Sequence, residues 1–198
     1  MPKPTALCVY CGSASGSRAD YAALARAFGG ELARRDITLV YGGGKVGLMG
    51  TLADAVLAGG GHAIGVIPRQ LEAREVAHQG LSELIVVDTM HQRKTRMYEL
   101  SEAFVALPGG FGTLDEMFEM LTWAQLGLHR YPCAFLDVRG YYRPLRDMLD
   151  SMVSEGFVNA PRRDHVWFGD SMSTMFDWMA DYDGGDAARV IGPSSVKA

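Results

Sequence analysis

Three short apolar runs in this chain each end in a cluster of small residues, and each cluster is followed by apolar residues at helical spacing. Residues 6–10 lead into Cys11-Gly12-Ser13-Ala14-Ser15-Gly16-Ser17, residues 37–41 into Gly42-Gly43-Gly44, and residues 103–107 into Pro108-Gly109-Gly110. Short unbroken apolar runs suit strands buried on both faces, and a 3.6-residue period suits the helices that cover them. The periodicity predicts helices over residues 20–34, 47–58, 90–102 and 141–155, the first with Leu24, Phe28 and Leu32 on one face. Further strands are expected at 63–67, 84–87 and 133–136, with Val166-Trp167-Phe168 as a short extended piece and a last helix over 171–180. Strands separated by helices in this rhythm predict an α/β fold. Right-handed crossovers make it a Rossmann-like, doubly wound parallel sheet with helices on both faces. Residues 1–180 read as a single Rossmann-like domain, and residues 181–198 as a polar, weakly ordered tail.

Composition excludes several classes. A chain of 198 residues is long enough to bury one sizeable core. The formal net charge of −4 argues against a general nucleic-acid binder. No apolar run approaches the roughly 20 residues of a membrane span. The first residues lack the basic segment and apolar stretch of a secretory signal, so a cytoplasmic protein is expected. Cys8-Val9-Tyr10-Cys11 has C-x-x-C spacing, but it lies in and just after a strand, and no second pair exists to complete a zinc site. Cys8, Cys11 and Cys133 read as buried or partly buried thiols.

The third small-residue cluster carries the most chemistry. Pro108 donates no backbone hydrogen bond and ends its strand. Gly109, Gly110 and Gly112 allow a close approach to the main chain, and the first amides of the following helix have no partner within it. A phosphate fits there. Thr113 and Glu116 also satisfy a capping box, which starts many helices that bind nothing. Gly42-Gly43-Gly44-Lys45-Val46-Gly47 satisfies G-x-G-x-x-G, but the acid expected after the next strand is missing. Arg69 stands there instead, and could meet an NADP 2′-phosphate. Lys45 is not followed by Ser or Thr, which excludes a standard P-loop; a role in shaping the pocket is the better reading. Met90-His91-Gln92-Arg93-Lys94, with Arg96 behind, places cations near a helix start, against its dipole; they are either a solvated surface cluster or, the preferred reading, partners of a bound anion.

Together, Met90-His91-Gln92-Arg93-Lys94 and Pro108-Gly109-Gly110-Phe111-Gly112-Thr113-Leu114-Asp115-Glu116 resemble the Lonely Guy family of cytokinin riboside 5′-monophosphate phosphoribohydrolases, often labelled lysine decarboxylases. The family motif P-G-G-x-G-T-x-x-E is matched in full. The likeness includes Tyr41-Gly42-Gly43-Gly44, Thr122-Trp123-Ala124-Gln125 and Gly140-Tyr141-Tyr142, and covers roughly residues 5–158. It implies hydrolysis of the N-glycosidic bond of N6-modified adenosine 5′-monophosphates, releasing a cytokinin or adenine base and ribose 5-phosphate. It further implies that Glu116 and Arg93 are the catalytic pair. Glu75, Lys94, Gly109, Gly110, Phe111, Gly112, Thr113, Leu114, Asp115 and Thr122 would contact substrate. Val76-Ala77-His78 departs from the family pattern beside Glu75. The resemblance implies a homodimer with its active site near the interface, a small nucleoside monophosphate as partner, and no metal or cofactor.

Carboxylate chemistry agrees with this. Cleaving a ribosyl C–N bond passes through a cationic sugar, which a fixed carboxylate stabilises. Whether Glu116 acts as base, nucleophile or electrostatic partner stays open, as does Arg93 between the phosphate and the leaving group. A non-catalytic carrier of a phosphorylated ligand, like the molybdenum-cofactor carriers, is the competing reading. A pyridoxal-phosphate decarboxylase would need a Schiff-base lysine from Lys3, Lys45, Lys94 and Lys197.

Overall fold

The computed structural model describes residues 3–72 and 77–184. The elements run β1 (Ala6–Tyr10), α1 (Ala19–Arg34), β2 (Thr38–Tyr41), α2 (Gly47–Ala58), β3 (Ala63–Pro68), α3 (Arg69–Glu72), β4 (Glu83–Val87), α4 (Met90–Glu99), β5 (Phe104–Ala106), α5 (Phe111–Gln125), β6 (Cys133–Leu136), α6 (Arg143–Ser154), α7 (Ala160–Asp164), β7 (Val166–Gly169) and α8 (Met172–Asp181). The strands form one sheet in the order β4-β3-β2-β1-β5-β6-β7, and its pairings are parallel. The doubly wound α/β expectation is therefore met, with the extended piece at Val166 serving as an edge strand. The expected tail lies outside the described residues from 185 onward.

Because successive strand residues point to opposite faces, β1 feeds two cores. Leu7 and Val9 pack with Phe28 and Leu32 of α1, Leu52 and Val56 of α2, and Met175 of α8. Cys8 and Tyr10 pack with Met97 of α4, Met117 and Met120 of α5, and Phe104 and Phe135 of the neighbouring strands. Cys8 and Cys11 thus belong to opposite faces, and all three cysteines are free and buried. Burial pushes the Cys133 thiol up to about 12, so it stays protonated and inert.

Several boundaries differ from the sequence expectation by a residue or more, and two of them have a clear local reason. β3 continues through Pro68 rather than stopping at Ile67. β2 ends opposite Gly65, so the missing N–H of Pro68 interrupts no ladder on that side. Helix α4 stops at Glu99, short of residue 102. The Glu102 amide is claimed by Ala6 O of the sheet at 3.0 Å, and Ser101 Oγ donates to Met97 O at 2.7 Å in the last turn.

Helices α1 and α2 touch at Gly29, where an added Cβ would lie 2.5 Å from Leu52 O and 2.8 Å from Ala55 Cβ. Gly29→Val is therefore expected to destabilise the protein by about 1–3 kcal/mol through overpacking. Chemical denaturation should show a lower midpoint with an unchanged slope.

Candidate active site

β1 lies between β2 and β5, where the two halves of the sheet wind in opposite directions, so the crevice at its carboxyl end is the topological switch point. The three small-residue loops interlock there. Gly12 N–H donates to Pro108 O at 3.1 Å, and Leu48 N–H donates to Gly12 O at 3.0 Å. Gly47, at φ +66°, sits so close to Ser13 that a Cβ would lie 2.3 Å from its carbonyl oxygen.

The turn after β5 is built differently from a capping box. Helix α5 begins at Phe111, with Gly110 in an extended conformation at the N-cap and no side-chain cap. Thr113 is therefore the third helical residue and Glu116 lies in the second turn, so the Thr-x-x-Glu pattern caps nothing. Instead Thr113 is buried, and its Oγ1 fills the space that a Cβ on Gly109 would need, only 2.1 Å away. Gly109 is required by packing. At Gly110 and Gly112 a Cβ would meet nothing within 4 Å, so those two glycines open onto free space. The first helical N–H to reach a helical acceptor is that of Leu114, to Gly110 O at 3.2 Å. The amides of Phe111, Gly112 and Thr113 precede it and face the crevice end of the helix dipole.

Helix α4 delivers the cations. Thr89 caps it, in a reciprocal box with Gln92, which fixes its first turn. Arg93 is only 5% exposed. Its Nη2 donates to Gly42 O at 3.4 Å and stands 3.7 Å from Glu116 Oε1, whose side chain is 12% exposed. A Cβ on Gly42 would lie 2.1 Å from that Nη2, so the glycine after β2 is what admits the guanidinium. Glu116 is close enough to the end of β1 that, added to burial, its charge pushes the Cys11 thiol well above the ordinary range. Lys94 Nζ meets Asp115 Oδ2 at 2.8 Å and Glu119 Oε2 at 3.3 Å. Burial pulls the Lys94 pKa down, but these two carboxylates outweigh it and hold the ammonium above its usual value.

The expected residues divide accordingly. Gly109, Gly110, Phe111, Gly112, Thr113, Leu114, Asp115 and Glu116 form one turn and helix start, and Arg93 and Lys94 reach it from α4. Leu114 packs into the core beneath, while Phe111 is 95% exposed. Arg96 turns away to Glu99 on the surface, at 3.1 Å. Thr122 stands elsewhere: six residues beyond Glu116, it donates to Phe118 O at 2.8 Å and lines an apolar groove with Phe118, Leu121, Leu149 and Met152. Glu75 lies outside the described residues. Arg69 is exposed, 4.0 Å from Asp88.

Two supports were not foreseen. Tyr142 Oη donates to Leu107 O at 2.6 Å and Tyr141 Oη to Gly109 O at 2.5 Å, so both carbonyls flanking Pro108 are tied to the start of α6. Two adjacent tyrosines before a helix carry no such signal in sequence, because the partners lie more than thirty residues away.

Comparison with known proteins decides the family. Residues 49–179 match the family described as "Possible lysine decarboxylase". The chain is 46% identical over 176 residues to cytokinin riboside 5′-monophosphate phosphoribohydrolase LOG1 of Arabidopsis thaliana, covering 89% of this chain and 83% of that protein. It is 50% identical over 166 residues to the cytokinin riboside 5′-monophosphate phosphoribohydrolase of Rhodococcoides fascians, covering 83% and 84% respectively. The chain belongs to this phosphoribohydrolase family. Among solved structures, the molybdenum cofactor carrier protein of Chlamydomonas reinhardtii superposes with a TM-score of 0.68 at 18% identity, over 89% of this chain and 96% of that one, which shows a shared fold. The decarboxylase description of the phosphoribohydrolase family sits badly with Lys94. A Schiff-base lysine must reach its neutral amine, and two carboxylates hold this one as an ammonium.

Tyr142→Phe would leave the buried Leu107 carbonyl without its donor. A loss of about 1–3 kcal/mol is expected in chemical denaturation.

Proposed function

We propose that this chain hydrolyses the N-glycosidic bond of adenosine 5′-monophosphates, N6-modified or plain, to the free base and ribose 5-phosphate. Its phosphoribohydrolase relatives, named for cytokinin riboside 5′-monophosphate, support this reading. The observation that carries it is the buried Arg93–Glu116 pair beside an uncapped helix start, at the switch point of the sheet. The 5′-phosphate takes the amides of Phe111, Gly112 and Thr113, where Gly110 and Gly112 leave the approach open. That places the ribose toward Glu116, one helical turn further on. As the C1′–N9 bond breaks, positive charge develops on the sugar and the Glu116 carboxylate stabilises it. Water adds its oxygen to C1′ and its proton ends on the departing base. Arg93, 3.7 Å away, orients Glu116. A cytoplasmic site of action goes with such a substrate.

Incubation with AMP and with isopentenyladenosine monophosphate should release free base, quantified by chromatography. Glu116→Gln preserves shape and is expected to lower turnover by about 10²–10³-fold, the usual loss for one preorganised electrostatic group. Unchanged turnover in that variant, or no base released by the folded wild type, would overturn the reading.

The same reading includes a homodimer with the site near its interface. Phe111 at 95%, Phe157 at 82% and Leu128 at 61% exposure leave large apolar side chains in water. Thr122, away from Glu116 of its own chain, lines a groove that a second copy can close. Sedimentation should give twice the chain mass, and Phe111→Asp should shift it toward the single chain.

A further inference from the structure

The charged side chains between α4 and α5 form a network larger than the pair that the reaction needs. Helix α4 supplies Arg93 and Lys94, and α5 supplies Asp115, Glu116 and Glu119. Glu119 follows Asp115 by four residues and Glu116 by three, so the three carboxylates share the face turned to α4. Arg93 and Lys94, being adjacent, point about 100° apart around their helix. Arg93 reaches the sheet at Gly42 O, and Lys94 reaches across to α5. The Lys94 and Glu119 side chains are 14% and 24% exposed, whereas Asp115 at 62% is largely in solvent. Glu119 Oε2 is closed off from water and makes no hydrogen bond among the described residues. The Lys94 ammonium, 3.3 Å away, is the charge that balances it.

We propose that Lys94 and Glu119 are a staple between α4 and α5 that sets Arg93 against Glu116, and that Lys94 is a positioning residue, not the phosphate's cation. The inference rests on the hydrolase reading for its kinetic consequences. Lys94 already faces two carboxylates. To pair with a phosphate it must leave both, stranding a dry carboxylate oxygen on Glu119. The phosphate has no need of it, since the amides of Phe111, Gly112 and Thr113 begin an uncapped helix. Lys94 and Glu119 also lie further along their helices than Arg93 and Glu116, so they act as a second fixed point. One contact lets two helices pivot, and two hold them.

The test uses the full chain carrying Glu119→Gln, Lys94→Met, both together, or Lys94→Arg. For AMP hydrolysis, each of the first two is expected to lower kcat at least tenfold with KM within threefold of wild type. The double variant should be no worse than the poorer single, because both remove one contact. Lys94→Arg, which still bridges carboxylates, should recover most of kcat. A tenfold rise in KM for Lys94→Met with Glu119→Gln at wild-type values would place the lysine on the phosphate and overturn the proposal, as would additive losses. If Lys94→Met does not fold, Glu119→Gln and Lys94→Arg carry the comparison. A wild type that leaves AMP intact would sink the hydrolase reading alone. The staple is then read from thermal unfolding, where the double variant should lose no more than either single, and additive losses would end it.

Discussion

A guanidinium 5% exposed sets the terms for everything around it. Arg93 has to be received by the sheet, and it is received at Gly42, whose missing Cβ leaves the space and whose carbonyl takes a donor. That glycine holds its place because β2 ends beneath it and because the next turn is wedged between Ser13 and the start of α2. Glu116 then answers the charge from the opposite side. Remove the glycine and the arginine has nowhere to go; remove the carboxylate and a dry cation is left behind. The three glycine loops are thus parts of one device, the seating of a single positive charge at the mouth of the switch point.

The helix starts around that mouth share an unusual trait. Helices α1, α2, α5 and α6, which follow β1, β2, β5 and β6, have no side-chain cap hydrogen bond. Helices α4, α7 and α8 are capped by Thr89, Asn159 and Ser171. Capping by a side chain is worth about 1 kcal/mol, so its omission over the central strands gives up local stability and leaves the first backbone amides without a side-chain cap. At α4 the opposite choice makes sense. That helix contributes side chains rather than amides, and its first turn has to be fixed for Arg93 and Lys94 to aim correctly.

Much of the fold was legible because it rests on period and punctuation. The runs before Cys11, Gly42 and Pro108 became β1, β2 and β5, and the switch point followed from their loops. Where the reading failed, the cause was a contact distant in sequence or a competing local geometry. Thr113 and Glu116 have capping-box spacing, yet Thr113 is drawn inside by the vacancy at Gly109, which spacing alone does not reveal. Residues 100–102 have helical character, yet Ala6 takes the Glu102 amide into the sheet. Tyr141 and Tyr142 hold the turn through carbonyls on another element. Thr89-x-x-Gln92 was a readable local signal, whereas the three- and four-residue spacing of Glu119 from Glu116 and Asp115 gains meaning only once α4 is known to lie against α5.

The likeness to a molybdenum cofactor carrier at 18% identity is a likeness of fold alone. A parallel sheet with open glycine turns offers backbone amides at its carboxyl ends, and any phosphorylated ligand of suitable shape can use them. Hydrolysis asks for more: a carboxylate that stays ionised out of water, aimed at the sugar while the phosphate is held one turn away. In the reaction proposed for this chain that demand falls to the facing sides of α4 and α5, through the Arg93–Glu116 and Lys94–Glu119 pairs. On that proposal, hydrolysis depends on a few charged side chains between two helices. On the same proposal, alterations to that face should abolish hydrolysis and leave the amides of Phe111, Gly112 and Thr113 able to hold a phosphate.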